Sequence, residues 1–111
     1  MKTLSYSDVR RGLQLQGVPE RTVEEFIQHY AANPMVWRFF ERFTLEAIVK
    51  GKTLGAKAIM ERVRWEAEVE KGESWKCNNN YVAYYARVFA MKYPEHAGYF
   101  EFRQVEGLKA A

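Results

Sequence analysis

The sequence predicts a mainly α fold of about five helices with a small two-stranded β element near the C-terminus. Apolar residues recur at helical spacing in successive segments, glycine or proline separates these segments, and residues 99–105 alternate as a strand does. With 111 residues and 48% hydrophobic content, the chain has the size and the core composition of a single domain.

The first two helices are predicted in residues 1–33. Ser5 or Ser7 can cap a short helix that ends before Gly17. Pro19 suits the first turn of a second helix that extends to Ala31. The apolar residues of this second helix share one face: Val23, Phe26, Ile27 and Tyr30. We interpret residues 1–33 as an N-terminal helical appendage to a core formed by residues 34–105.

Residues typical of helix ends predict the third and fourth helices. Asn33 and Pro34 are typical of a helix start, and the apolar stripe after them continues to Lys50. A fourth helix is predicted from Gly55 to Lys71, where apolar residues keep the helical period. Its outer face alternates in charge, which is typical of a solvated helix surface.

A fifth helix is predicted from Asn79 to Tyr93, because Pro94 disfavours helical geometry in the residue before it. This helix is apolar on most sides, so it lies deep in the core or covers a partner. The strand Tyr99–Val105 can pair with Ser74–Cys77. A helix-turn-helix or winged-helix variant is one architecture that fits this order, with the fourth helix supporting the fifth.

Charge is distributed unevenly along the chain. The net charge is +3, from 17 basic and 14 acidic residues, and no acidic residue lies between Glu73 and Glu95. A surplus of this size permits a polyanionic partner but does not require one.

The acid-free window contains the most distinctive motif, which runs from Trp75 to Arg87 and carries three adjacent asparagines and three tyrosines. Amide and aromatic side chains beside cations are the groups that contact bases and phosphates. The predicted nucleic-acid-binding residues are Lys76, Asn78, Asn79, Asn80, Tyr81, Tyr84, Arg87 and Lys92.

Structural interpretations of the same residues stay open. Adjacent asparagines cap helices and suit turns, and the tyrosines can pack in the core. Arg87 can face solvent or a phosphate, or it can form an ion pair with Glu101 or Glu66.

Little in the sequence indicates catalysis, a metal or a cofactor. His29 and His96 are far apart, and neither belongs to a recognisable metal or nucleophile motif. The segment Gly51–Gly55 lacks the spacing of a phosphate-binding loop. The single cysteine, Cys77, cannot form an internal disulfide, and no signal peptide or membrane span is evident. We therefore expect a non-enzymatic cytoplasmic protein without a cofactor, and a homodimer is compatible with the sequence.

The chain resembles a family of small uncharacterised bacterial and prophage proteins. The resemblance depends on Asn78-Asn79-Asn80-Tyr81 with Tyr84-Tyr85-Ala86-Arg87, then Tyr93-Pro94-Glu95 and Phe100-Glu101-Phe102-Arg103. It covers residues 37–103 and implies kinship but no particular activity.

Two functions are compatible with these observations. The first is a DNA-binding or regulatory module, which would use the motif residues. The alternative is a protein-interaction module that modulates a host enzyme or a defence complex through an aromatic C-terminal face.

Overall fold

Helices account for almost all of the regular structure in the computed structural model, which describes residues 4–71 and 79–100. Five α-helices are followed by one turn of 3-10 helix: α1 Tyr6–Leu15, α2 Glu20–Ala32, α3 Pro34–Val49, α4 Ala56–Lys71, α5 Asn79–Lys92, and the 3-10 turn Pro94–His96. The predicted helices α2 to α5 are confirmed, and each predicted end lies within one residue of the observed one.

Local signals in the sequence set the helix ends. Ser5 caps α1 by accepting a hydrogen bond from the backbone N–H of Asp8, whose carboxylate accepts from the N–H of Ser5, both at 3.0 Å. After α1 the chain reverses at Gly17, where φ is 84°, and after α3 it reverses at Gly51, where φ is 68°. Only glycine adopts this left-handed backbone at little cost, so both helices stop at these positions.

The centre of the core is α5, which packs against α1, α3 and α4. Tyr85, Val88 and Phe89 are fully buried. The ring of Phe26 in α2 meets that of Tyr85 edge-on at 5.1 Å, and the ring of Phe40 in α3 lies 5.8 Å from it. Burying each such ring stabilises the fold by roughly 1.5–3 kcal/mol, which explains why α5 is apolar on most sides.

Helices α1 and α2 belong to the same core. Val9, Leu13 and Phe26 have no exposed surface, and Gly12 lies so close to α5 that an added Cβ would meet Sδ of Met91 at 2.5 Å. The described part of residues 1–33 is thus integral to the packing, which differs from our interpretation of this region as an appendage.

The predicted two-stranded β element is wrong: no strand occurs in residues 4–71 and 79–100. Tyr99 and Phe100, the described part of the predicted strand, form a bend after the 3-10 turn. Phe100 is buried because its ring contacts Phe40 and Phe89 at 5.7 and 5.8 Å. The burial of Phe100 therefore comes from contacts with α3 and α5. The predicted segments 74–77 and 101–105 lie outside the described residues.

The winged-helix variant loses its wing with the β element, whereas a helix-turn-helix does not depend on one. In those folds a recognition helix presents one face to the DNA. In this protein other helices cover α5, which therefore has no broad free face to place in a major groove.

Candidate functional site

The first residues of the predicted nucleic-acid site lie before α5 in the sequence or in its first turn. Lys76 and Asn78 lie outside the described residues. Asn79 and Asn80 form the first turn of α5, where only the backbone is described.

The two tyrosines of the predicted site pack against α2. Tyr84 is 7% exposed, and its ring lies edge-on to Phe26 at 5.6 Å. Burial raises the pKa of the Tyr84 hydroxyl. Tyr81 is half-buried, with its ring 5.6 Å from Phe26 and 4.8 Å from His29. Burial lowers the pKa of His29, because the interior disfavours the imidazolium. Both tyrosine rings are thus part of the core wall.

Arg87 is also an interior residue. It is 8% exposed, and one guanidinium nitrogen donates a hydrogen bond to Oε1 of Gln16 at 2.6 Å. Burial lowers the pKa of this guanidinium. The side chain therefore connects α5 to the C-terminal end of α1 and is not open to a duplex in this conformation.

Lys92, the last residue of α5, forms an ion pair. Its ammonium lies 2.5 Å from Oε2 of Glu41 in α3, and the hydroxyl of Tyr93 donates to the same oxygen at 2.7 Å. Burial, and then the contact with Glu41, raises the pKa of Tyr93 to about 12. The structure therefore places the described members of the predicted site along one core helix and does not assemble them on a surface.

A different aromatic site lies where the starts of α1 and α3 meet the end of α2. A groove of about 440 Å³ opens there to solvent, and we call it the α1–α3 groove. Its aromatic and aliphatic lining residues are Leu4, Tyr6, Tyr30, Pro34 and Trp37, and its polar lining residues are Ser5, Arg38 and Lys92.

The aromatic walls of the α1–α3 groove are preformed. Tyr6 is 51% exposed, and its ring meets that of Tyr30 edge-on at 5.8 Å. Trp37 lies 6.2 Å from Tyr30 and stacks on Phe40 of the core at 6.3 Å. Ring pairs of this kind hold each other in place, so the groove does not have to form when a ligand arrives.

Tyr30 combines deep burial with a free hydroxyl. Its side chain is 8% exposed, it lines the groove, and its hydroxyl has no hydrogen-bond partner among the described residues. Burial raises its pKa to about 12, and the nearby Tyr6 and Glu41 contribute to the shift. At neutral pH this hydroxyl is therefore protonated and can donate a hydrogen bond into the groove.

The charge at the α1–α3 groove is positive. Arg38 is exposed and forms no ion pair within the described part of the chain, whereas Lys92 shares Glu41 with Tyr93. The first turn of α3 contains no acidic residue and has no side-chain cap, because the Asn33 amide donates instead to the backbone carbonyl of His29. No carboxylate belongs to the groove lining given above, although that of Glu41 is close enough to act on Tyr30.

A second, smaller cavity of about 190 Å³ lies between α3 and α4. Three cations line it, and two of them share one carboxylate: Lys50 and Arg62 both contact Glu46 at 3.3 Å, and Arg62 also lies over the ring of Phe43 at 4.0 Å. Hydrogen bonds from Lys50 and Arg62 lower the pKa of Glu46. This cavity is less than half the size of the groove, and unlike the groove it has a carboxylate, that of Glu46, in its lining.

Apolar residues are also exposed on α4. Trp65 and Val69, one turn apart, are 61% and 60% exposed. They lie on a convex helix surface and line neither cavity.

The sequence placed Tyr30 on the core face of α2 but gave no role to Tyr6, Trp37 or Arg38. A signal was present, since aromatic residues flank the starts of two helices and a cation follows Trp37. Recognising the site required knowing that these two helix starts are neighbours.

In the described ranges, no group of His, Cys, Asp or Glu side chains is arranged to hold a metal ion. No described helix is long and apolar enough to cross a membrane. Comparison of the chain with protein-family models, curated proteins and solved structures found no match. The resemblance to prophage proteins therefore stays a prediction.

Proposed function

We propose that this protein is a non-enzymatic protein-interaction module that binds a short segment of a partner protein in the α1–α3 groove. The observation that carries this proposal is the exposure of preformed aromatic walls in a groove on the surface. Tyr6 is 51% exposed and so has surface that a bound segment can cover, while Trp37 is held by its stacking on Phe40 of the core.

The shape of the groove favours a peptide over a small molecule. Small-molecule sites bury about 70–90% of their ligand, which requires an enclosing cleft. The α1–α3 groove is open on one side, and its rim residues Tyr6, Pro34 and Arg38 are themselves exposed. An open groove covers one side of a ligand and leaves the other side free for the rest of a partner chain.

Protein interaction was the alternative function that the sequence left open, through an aromatic C-terminal face. We assign this function to the α1–α3 groove instead. The aromatic residues Tyr84, Tyr85 and Phe89 of the C-terminal helix are buried. In the groove, by contrast, Tyr6 remains 51% exposed. DNA binding through the motif residues stays a prediction.

The test is selection of random dodecamer peptides on the folded protein, with affinities then measured by fluorescence anisotropy. We expect peptides that bind the wild type and lose about tenfold or more in affinity with Tyr6→Ala, because aromatic anchors dominate such contacts. The matched control is Leu15→Ala, which removes an 80% exposed apolar side chain from the other end of α1.

Circular dichroism and a thermal melt establish that each variant is folded. The proposal is rejected when every selected peptide binds Tyr6→Ala as well as it binds the wild type. Equal weakening by Tyr6→Ala and Leu15→Ala also rejects it, because the loss would not then map to the groove.

A further inference from the structure

We infer that the segment bound in the α1–α3 groove is acidic, with a carboxylate next to an aromatic or aliphatic residue. This inference rests on the proposed function and specifies the chemistry of the partner. The groove combines aromatic and aliphatic lining residues with hydroxyl groups and two cations, and its lining contains no carboxylate.

The first argument is the unused donor of Tyr30. Although the Tyr30 side chain is only 8% exposed, its hydroxyl is not among the buried polar atoms that lack a partner, so the oxygen keeps access to solvent. The Tyr30 hydroxyl has no hydrogen-bond partner among the described residues, and Tyr30 lines the groove. A carboxylate oxygen of a ligand would accept a hydrogen bond from this hydroxyl, while the aromatic and aliphatic lining residues would contact the adjacent side chain.

The second argument is charge. Arg38 has no carboxylate within ion-pair distance in the described residues, and Lys92 lines the same groove. Glu41 neutralises Lys92 but does not line the groove. A ligand carboxylate would therefore complete a charge-assisted pair with Arg38, and a guanidinium binds a planar carboxylate through two parallel hydrogen bonds.

The start of α3 adds to this field. The positive end of a helix dipole favours an anion, and this helix has neither an acidic residue in its first turn nor a side-chain cap. The first turn of α1, by contrast, is already satisfied by Ser5 and Asp8. An acidic segment would thus lie at the α3 end of the groove, with its apolar residue between Tyr6 and Trp37.

The experiment uses a hexapeptide array in which every peptide with Phe or Leu beside Glu is paired with its Gln isostere. We expect the wild type to bind the Glu peptides about tenfold more tightly than the Gln peptides at low salt. Arg38→Gln should remove most of this preference. The matched control, Arg42→Gln, removes an exposed cation one turn further along α3 that does not line the groove.

Tyr30→Phe keeps the ring and deletes the hydroxyl, so it should weaken Glu peptides severalfold and Gln peptides less, because a carboxylate accepts a stronger hydrogen bond than an amide oxygen does. The inference is overturned if Glu and Gln peptides bind equally, or if Arg38→Gln and Arg42→Gln have the same effect. In those cases Tyr6-dependent binding of both peptide sets would still support the proposed function. Absence of any Tyr6-dependent binding would remove the function and the inference together.

Discussion

Helix α5 and the α1–α3 groove contain the same kinds of side chain, tyrosines beside an arginine or a lysine, and use them in opposite ways. In α5, Tyr85 is fully buried at the centre of the bundle. In the groove, Tyr6 is 51% exposed although it also contacts another aromatic ring. The difference comes from the surroundings, because residues of α1, α2, α3 and α4 pack against α5, whereas the groove is open to solvent.

Arg87 in α5 and Arg38 beside the groove also differ in their surroundings. Arg87 and Arg38 each follow an aromatic residue closely in a helix. Arg87 is buried and donates to Gln16, whereas Arg38 is exposed and has no ion pair in the described ranges. An aromatic and basic motif therefore indicates a binding surface only when the fold leaves one of its faces uncovered.

The largest expected effect comes from truncating one aromatic ring in α5 and one in the α1–α3 groove. Phe89→Ala removes a fully buried ring of α5 and should lower the free energy of unfolding by about 3–5 kcal/mol. Tyr6→Ala in the groove should cost about 1 kcal/mol, chiefly through its edge-on contact with Tyr30. Urea unfolding monitored by circular dichroism measures both values, and similar losses for the two variants would contradict the contrast between interior and surface.

Arg87 provides the next test. Arg87→Ala should lower the free energy of unfolding by about 1.5–3 kcal/mol, because it deletes a buried hydrogen bond from a charged donor to Gln16. Urea unfolding measures this loss. A variant as stable as the wild type would show that the side chain is not an interior one.

The same variant series tests DNA binding through α5. Anisotropy titrations of a duplex at about 50 and 200 mM salt should show a steep loss of wild-type affinity if the motif contacts phosphates. Asn79→Ala should then weaken binding without unfolding the protein. Salt-insensitive or absent binding by the folded wild type would remove the DNA-binding prediction.

The smallest expected effect concerns Tyr30 at alkaline pH. Its folded-state pKa is about 12, above the ordinary value of about 10, so the protonated hydroxyl favours the folded state. This contribution is complete below about pH 10 and is lost as the pH rises toward 12. At pH 11 the wild type should have lost about 1 kcal/mol that Tyr30→Phe does not lose.

Urea unfolding of both proteins at pH 7 and pH 11 gives this difference directly. If the two proteins lose the same stability, Tyr30 does not hold its proton through burial beside the groove.

The sequence predicted the helices well because their signals are local. Ser5, Pro34 and Gly51 each set a helix end through the backbone of a few neighbouring residues. The apolar stripe of α2 likewise depends only on helical spacing, and Phe26 and Tyr30 lie on its buried face as predicted.

The site depends on long-range packing, and the sequence could not show it. The groove brings residues 4–6 next to residues 30–38 and to Lys92. The periodicity of one segment cannot indicate that these separate segments are neighbours. The false strand has the same origin: Phe100 is apolar because it contacts Phe40 and Phe89, which belong to two other elements.

The hydroxyl of Tyr99 bears on the order in which the protein can acquire its structure during synthesis. It donates to the backbone carbonyl of Lys52 at 2.7 Å and accepts from the backbone N–H of Leu54 at 3.0 Å. These contacts span 47 and 45 residues. During synthesis the connection between α3 and α4 is therefore complete before Tyr99 is added. The helices on both sides of this connection can form earlier, but its two hydrogen bonds to Tyr99 form only afterwards.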